Sequence, residues 1–128
     1  MHDRQRVWEK AIGLASKIHT DSRLPVDRGL HEQMRRCSIV VASQLADAYS
    51  RANRGERIRL LGLARSSLYE LDTQIRIGLR LEAVDAQLGL DAEVEALQCL
   101  VSAAIQRLRE QKSRDTPPLQ NVTAVDQR

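Results

Sequence analysis

Aromatic side chains are almost missing from this chain: there is no Phe, one Trp and two Tyr among 128 residues. A core here cannot be centred on rings, and the aromatic platform on which single strands stack has little material. Cysteine is scarce as well. Cys37 and Cys99 fall at apolar helical positions far apart in the sequence, with no further ligand spaced nearby. Both are therefore expected as buried free thiols, and no metal site is expected. Long apolar runs are absent too. None approaches a membrane span, and Met1-His2-Asp3-Arg4 lacks the apolar stretch of a signal peptide. These absences lead us to expect no membrane contact and a cytoplasmic location.

What the chain does have is aliphatic residues and helix formers. Its length suits one domain with a core that needs no disulfide or metal. Leu, Ile, Val and Ala suit close helix–helix packing. Four segments carry apolar residues at spacings of three and four. The first runs from Arg4 to Thr20, with Val7, Trp8, Ala11, Ile12, Ala15 and Ile18 on one face. Leu24-Pro25-Val26-Asp27 is a connector, in which Pro25 disfavours helix at Leu24 and Asp27 can cap the next helix. The second segment runs from Arg28 to Ala52, with Leu30, Met34, Cys37, Val41, Leu45 and Ala48 inward. Asn53-Arg54-Gly55 is expected to end it in a left-handed cap. The third runs from Glu56 to Glu82, with Leu61, Ala64, Leu68, Leu71, Ile75 and Leu79 inward. So short a turn forces an antiparallel hairpin. Leu88-Gly89-Leu90 interrupts the pattern. Asp91 then reads as the N-cap of a fourth helix, which carries Val94, Leu97, Val101, Ala104 and Leu108 to Gln111.

The expected fold class is all-α: a left-handed, up-down-up-down four-helix bundle over 1–112, with a disordered tail over 113–128 that contains Pro117-Pro118.

Pairing the second and third segments across their turn brings polar residues together. Arg36, Ser43, Gln44 and Asp47 on one should face Arg65, Ser67, Glu70 and Gln74 on the other. Such a seam is either a ligand groove or a self-satisfied network that sets register or an intersubunit contact. The second reading is preferred, because buried polar groups need partners. Catalytic residues are not evident. Asp47, Glu70 and Asp72 could in principle pair as carboxylates. No His stands at helical spacing from a partner, however, and His2, His19 and His31 are expected at the surface. The Glu-x-x-His pair of di-iron bundles, the zincin helix and a Gly-rich phosphate loop are all absent. No catalytic residue, cofactor or enzymatic activity is expected.

Basic residues are more suggestive. Net charge is +3, with Arg51, Arg54, Arg57 and Arg59 crowded at the second turn against a single local Glu56. Such a cluster can be an ordinary solvated helix end or a positive cap that meets phosphates. In the second case binding to RNA or another nucleic acid would depend on salt concentration and read little sequence.

In order and spacing, several stretches resemble one bacterial family. They are Val7-Trp8-Glu9-Lys10-Ala11, Gly29-Leu30-His31-Glu32-Gln33-Met34-Arg35-Arg36, Ser43-Gln44-Leu45-Ala46-Asp47-Ala48, and Ala64-Arg65-Ser66-Ser67-Leu68-Tyr69-Glu70-Leu71-Asp72-Thr73-Gln74. The family is that of the four helix bundle proteins, which includes 23S rRNA intervening-sequence proteins (the S23 proteins). The last stretch is close to the family's Ala-x-Gly-Ser-Leu-x-Glu-Leu-x-Thr-Gln. Ala42, Gln44, Asp47, Ala48 and Ser66 depart from the family's usual Pro, Asn, Glu, Gly and Gly. The likeness spans about Val7 to Leu108. It implies a bundle that assembles as a homo-oligomeric ring, a homopentamer, with no established molecular function. A more distant likeness, to the accessory variability protein of diversity-generating retroelements, adds weight to nucleic-acid binding. The resulting expectation is a non-enzymatic, cytosolic assembly protein that binds RNA through Arg51, Arg54, Arg57 and Arg59. The alternative is a purely structural or protein-binding scaffold, with Ile39, Val40 and Leu60 as its contacts.

Overall fold

The computed structural model describes residues 2–20 and 28–111. Over those residues the chain is all-α, with four helices and no strand. α1 spans His2–Thr20, α2 Arg28–Tyr49, α3 Arg54–Arg80 and α4 Leu90–Gln111, and a single 3-10 turn covers Ala86–Leu88. The Leu24–Asp27 connector and the 113–128 tail lie outside the described residues.

Contacts between helices run in opposite senses along the chain. Arg4, near the start of α1, donates to the carbonyl of Tyr49 at the end of α2. Between α2 and α3, Cys37 lies near Glu70 and Gln44 near Ser67. Between α3 and α4, Leu68 meets Gln98 and Arg65 meets Ser102. Lys17 in the last turn of α1 pairs with Glu93 in the first turn of α4, and also donates to the Leu88 carbonyl. α1 therefore packs against both α2 and α4, and the layer closes on itself.

The core is aliphatic throughout. Val7, Ala11, Leu14 and Ile18 fill it from α1; Met34, Val41, Leu45 and Ala48 from α2. Leu61, Ala64, Leu68, Leu71 and Ile75 enter from α3, and Val94, Leu97, Val101, Ala104 and Ile105 from α4. These spacings of three and four put each set on one stripe of its helix. The first stripe is rotated from the expected one. Leu14 is buried, whereas Trp8 is 38% exposed and Ile12 and Ala15 are half-buried. Leu60, expected as a leftover contact, is buried as well. His31 is buried at the start of α2, not at the surface, because Leu30, His31 and Met34 turn the first part of that helix inward.

The helix ends also differ from expectation, for local reasons. α2 stops at Tyr49, after which the Ser50 N–H is shared between the Ala46 and Asp47 carbonyls at 3.1 and 3.2 Å and the Arg51 N–H bonds the Ala48 carbonyl at 3.3 Å. Asn53 is extended (φ −73°, ψ 125°) and caps α3, accepting from the Glu56 N–H at 2.8 Å. It starts the next helix; it does not end the previous one. α3 ends at Arg80, after which Glu82 takes φ 58°. The N–H groups of Ala83 and Val84 then fold back onto the Gly78 carbonyl, at 2.8 and 3.2 Å. Gly78 is buried directly beneath Val84, in space that a Cβ would occupy. Gly89, at φ 66°, turns the chain into α4. α4 therefore begins at Leu90, and Asp91 lies in its first turn, where a carboxylate still suits the helix dipole.

Candidate nucleic-acid interface

The turn between α2 and α3 gathers Arg51, Arg54, Arg57 and Arg59, and the fold adds to them. Arg4 arrives from α1, donating Nη1 to the Tyr49 carbonyl at 3.0 Å with its Cζ 6.0 Å from the Tyr49 ring centroid. Arg57 reaches back from α3 and donates to the Arg51 carbonyl. Two guanidinium groups thus sit on the chain just where α2 ends. Its last carbonyls lack intrahelical donors there, and positive charge suits the dipole. Both cations have a structural task as well as a field.

The other arginines of the turn are partly matched. Arg51 contacts the Asp47 carboxylate with Nη2 at 2.8 Å and Nε at 3.2 Å. Arg59 bonds Glu56 at 2.6 Å. That bond holds the Glu56 carboxyl below the usual carboxylate range and raises the Arg59 guanidinium. Arg57 is half-buried, and its Nε has no hydrogen-bond partner among the described residues. Burial, with the nearby Arg4 charge adding to it, pulls the Arg57 pKa down. An arginine retains its proton even so. This corner therefore concentrates positive charge more than local acids offset it. The Arg65–Ser102 pairing carries the end of α4 to the same level, bringing Arg107 and Arg109 to this end of the bundle.

The polar seam between α2 and α3 forms only in part. Ser67 donates to Gln44 Oε1 at 2.7 Å. Cys37 donates to the Ser67 carbonyl at 3.3 Å and lies 3.9 Å from Glu70 Oε1. Burial pushes the Cys37 thiol up to about 11, and the Glu70 carboxylate adds to the shift. A thiol so held is a hydrogen-bond donor and a poor nucleophile. Gln74 lies on the same α3 face, and its Oε1 is buried with no partner among the described residues. The remaining members go elsewhere. Arg65 turns to α4 and meets Ser102 at 3.2 Å. Arg36 is exposed, with Glu32 at 3.9 Å its ion-pair partner, and Ser43 is exposed. Asp47 is taken by Arg51.

The carboxylates considered for acid–base work do not pair with one another. Asp47 meets Arg51, Asp72 meets Arg76 at 3.0 Å, and Glu70 lies beside Cys37. Among the described residues no group of His, Cys, Asp and Glu could hold a metal ion, and no helix is long and apolar enough to cross a membrane. His19 bonds the Ala15 carbonyl through Nδ1 at 2.9 Å. Cys99 is exposed on α4, against the expectation of a buried thiol, because the α4 stripe is set by Leu97, Val101 and Ala104.

Sequence reasoning misses Arg4, Tyr49 and Cys37 as members of these two clusters. Cys37 stands four residues from Val41 and from Gln33, between the apolar and polar faces of α2, which is a usable signal. Arg4 has none, since the register of α1 against α2 is a tertiary fact.

Comparison with known proteins places this geometry in context. Residues 3–102 match the family model described as 23S rRNA-intervening sequence protein. A solved structure from Bacteroides thetaiotaomicron, a protein with unknown function from the S23 ribosomal protein family, is similar in fold. The TM-score is 0.71 at 15% identity, over 81% of this chain and 98% of that one. A search of curated proteins gave no match.

Proposed function

The chain belongs to the 23S rRNA-intervening sequence protein family, and from that premise we propose that it is a non-enzymatic, cytosolic assembly protein that binds RNA through its phosphate backbone. The observation that carries the reading is the corner at which Arg4 of α1 joins Arg51 and Arg57 of the α2–α3 turn. Residues far apart in sequence make one positive surface, and that surface has a partner class in polyphosphate chains. Arg54 and Arg59 of the same turn extend it. Contacts of this kind position a backbone and leave bases largely unread.

Assembly is the second part of the proposal. Val40, Leu63, Ile77 and Leu81 stay 39–49% exposed on the α2–α3 side. A surface of that kind supports self-association into a ring, with a homopentamer as the form implied by the family resemblance.

The test is RNA binding measured across a salt series. Wild type is expected to bind at low salt and to weaken steeply as salt rises. Changing Arg51, Arg54, Arg57 and Arg59 together to Ala should remove most of that affinity, while the matching Lys variant should retain it. Circular dichroism confirms that each variant is folded. No affinity at low salt, or undiminished affinity in the folded Ala variant, overturns the proposal.

A further inference from the structure

Four charged side chains around the α2–α3 turn balance one another. Arg51 holds the Asp47 carboxylate, and Arg59 holds that of Glu56. The two pairs also lie close enough to act on each other, since the charges of Arg51 and Asp47 reach Glu56 and that of Asp47 reaches Arg59. Two cations and two anions thus form one compact group without net charge. The run of arginines in the sequence loses two of its members to local acids in this way.

Arg4 and Arg57 stand apart from that group. Arg4 donates Nη1 to the Tyr49 carbonyl at 3.0 Å, and Arg57 donates Nη2 to the Arg51 carbonyl. Carbonyls two residues apart are at most about 7 Å from each other, so the two guanidinium groups share one small region. Apart from burial, the influences on Arg57 come from the Arg4 charge and the Tyr49 phenol, with no carboxylate among them. Among the described residues no ion pair joins either arginine to an acid. A guanidinium carries five N–H donors, and a carbonyl occupies one of them. Two fixed like charges therefore lie together, and partly buried charges are weakly screened by salt. Such a pair suits an anion with more than one charge on a single group. A phosphodiester carries one charge. A phosphomonoester carries nearly two at neutral pH, on three terminal oxygens that guanidinium groups can grip in pairs.

We propose that Arg4 and Arg57 form a seat at the end of α2 for a phosphomonoester, supplied as the terminal phosphate of an RNA strand. That source rests on the RNA-binding reading above, whereas the charge match stands without it. The two arginines come from α1 and α3 and are fixed by carbonyls at the end of α2, so the seat exists only in the folded bundle. An acidic peptide is the less fitting occupant, because each of its carboxylates brings one charge and two acceptor oxygens.

The test compares one short oligoribonucleotide bearing a 5′-terminal phosphate with the same strand ending in a 5′-hydroxyl, at a salt concentration that weakens backbone contacts. The full chain should bind the phosphorylated strand about tenfold more tightly. Arg4→Gln should erase that difference, and so should Arg57→Gln. Arg59→Gln should keep it, because the Arg59 charge is already met by Glu56. Arg4 is exposed, so its variant is expected to fold even where that of Arg57 does not, and circular dichroism checks each. Equal affinity for the two strands in wild type, or a difference that survives Arg4→Gln, overturns the seat and leaves backbone binding standing. An equal loss in Arg59→Gln spreads the contact over the whole turn and overturns it as well. Oligoglutamate that cancels the difference as effectively as inorganic phosphate would assign the arginines to an acidic protein and overturn the phosphate reading. Uridine 5′-monophosphate separates the two sources. It should raise the unfolding temperature of wild type and not that of Arg4→Gln, with uridine as the control. That rise without binding of any RNA at low salt would remove the RNA reading and keep the seat.

Discussion

At the scale of single residues, two cysteines of the same chain have opposite chemistry. Both lie on helices with Leu or Val within four residues, and both are expected to be buried from the sequence. Cys37 is buried against Ser67 and Glu70, with its thiol pushed up to about 11. Cys99 is exposed on α4. Thiolate, not thiol, attacks alkylating reagents. A maleimide at neutral pH should therefore label Cys99 quickly in the native protein and Cys37 only after unfolding. Mass spectrometry of the labelled peptides checks this, and rapid native labelling of Cys37 would contradict the burial. The same shift has a sign for stability. An unfolded Cys37 ionises near 9.0 and the folded one near 11, so stability is unaffected below that window and falls as pH rises into it.

At the scale of elements, the four helices are legible from periodicity, and their interior stripes largely so. Leu61, Ala64, Leu68, Leu71 and Ile75 are all buried as the spacing requires. The ends are less legible, because the same residue types serve opposite purposes. Asn53 can terminate a helix in the left-handed region or start one from the extended region, and only its backbone angles decide. The end of α3 shows the same limit. Gly78 lies in the last turn of α3, where a helical glycine taken alone would favour replacement by Ala by up to about 1 kcal/mol. In the fold, Val84 packs over it where a Cβ would lie. Gly78→Ala should therefore destabilise the protein by about 1–2 kcal/mol net, since overpacking outweighs the helix gain. Thermal or urea unfolding measures it, and an unchanged or raised midpoint would mean that the α3–α4 connection can shift aside. At the far end of that connection, Lys17 of α1 holds Leu88 and Glu93 together, so the loop is fastened from a helix distant in sequence.

At the scale of the whole molecule, closure of the bundle sorts charge and apolar surface onto different places. Basic residues from the start of α1, the α2–α3 turn and the end of α4 share one end. Apolar residues left outside collect along the α2–α3 side, where Leu63 and Ile77 lie on α3 with Glu70 midway between them, seven residues from each. That spacing keeps them on one helical face. Replacing Leu63 and Ile77 together by Glu is expected to lower the assembled mass seen by light scattering or sedimentation, without changing helix content. A mass unaltered by the pair would count against the proposed subunit contact at this face. Salt should act differently on the two proposed surfaces, weakening the RNA binding proposed for the basic end and leaving the proposed apolar subunit contact nearly untouched.

The class of fold is already contained in the order of residues. Aliphatic side chains at spacings of three and four leave no other way to bury a core without aromatics, and short turns oblige neighbouring helices to pack together. The basic character of the α2–α3 turn is contained there too, since local charge is readable where residues are consecutive. Which face of each helix stays outside is settled by packing alone. A rotation of α1 by a fraction of a turn buries Leu14 and leaves Trp8 at the edge. The pairing of α1 with α2 brings Arg4 to Tyr49, and the turn of Arg65 toward Ser102 removes it from the seam that the hairpin pairing assigns to it. Helical periodicity specifies that a stripe exists. The rotation and register of one helix against another come from side-chain packing over the whole core, which no local pattern contains.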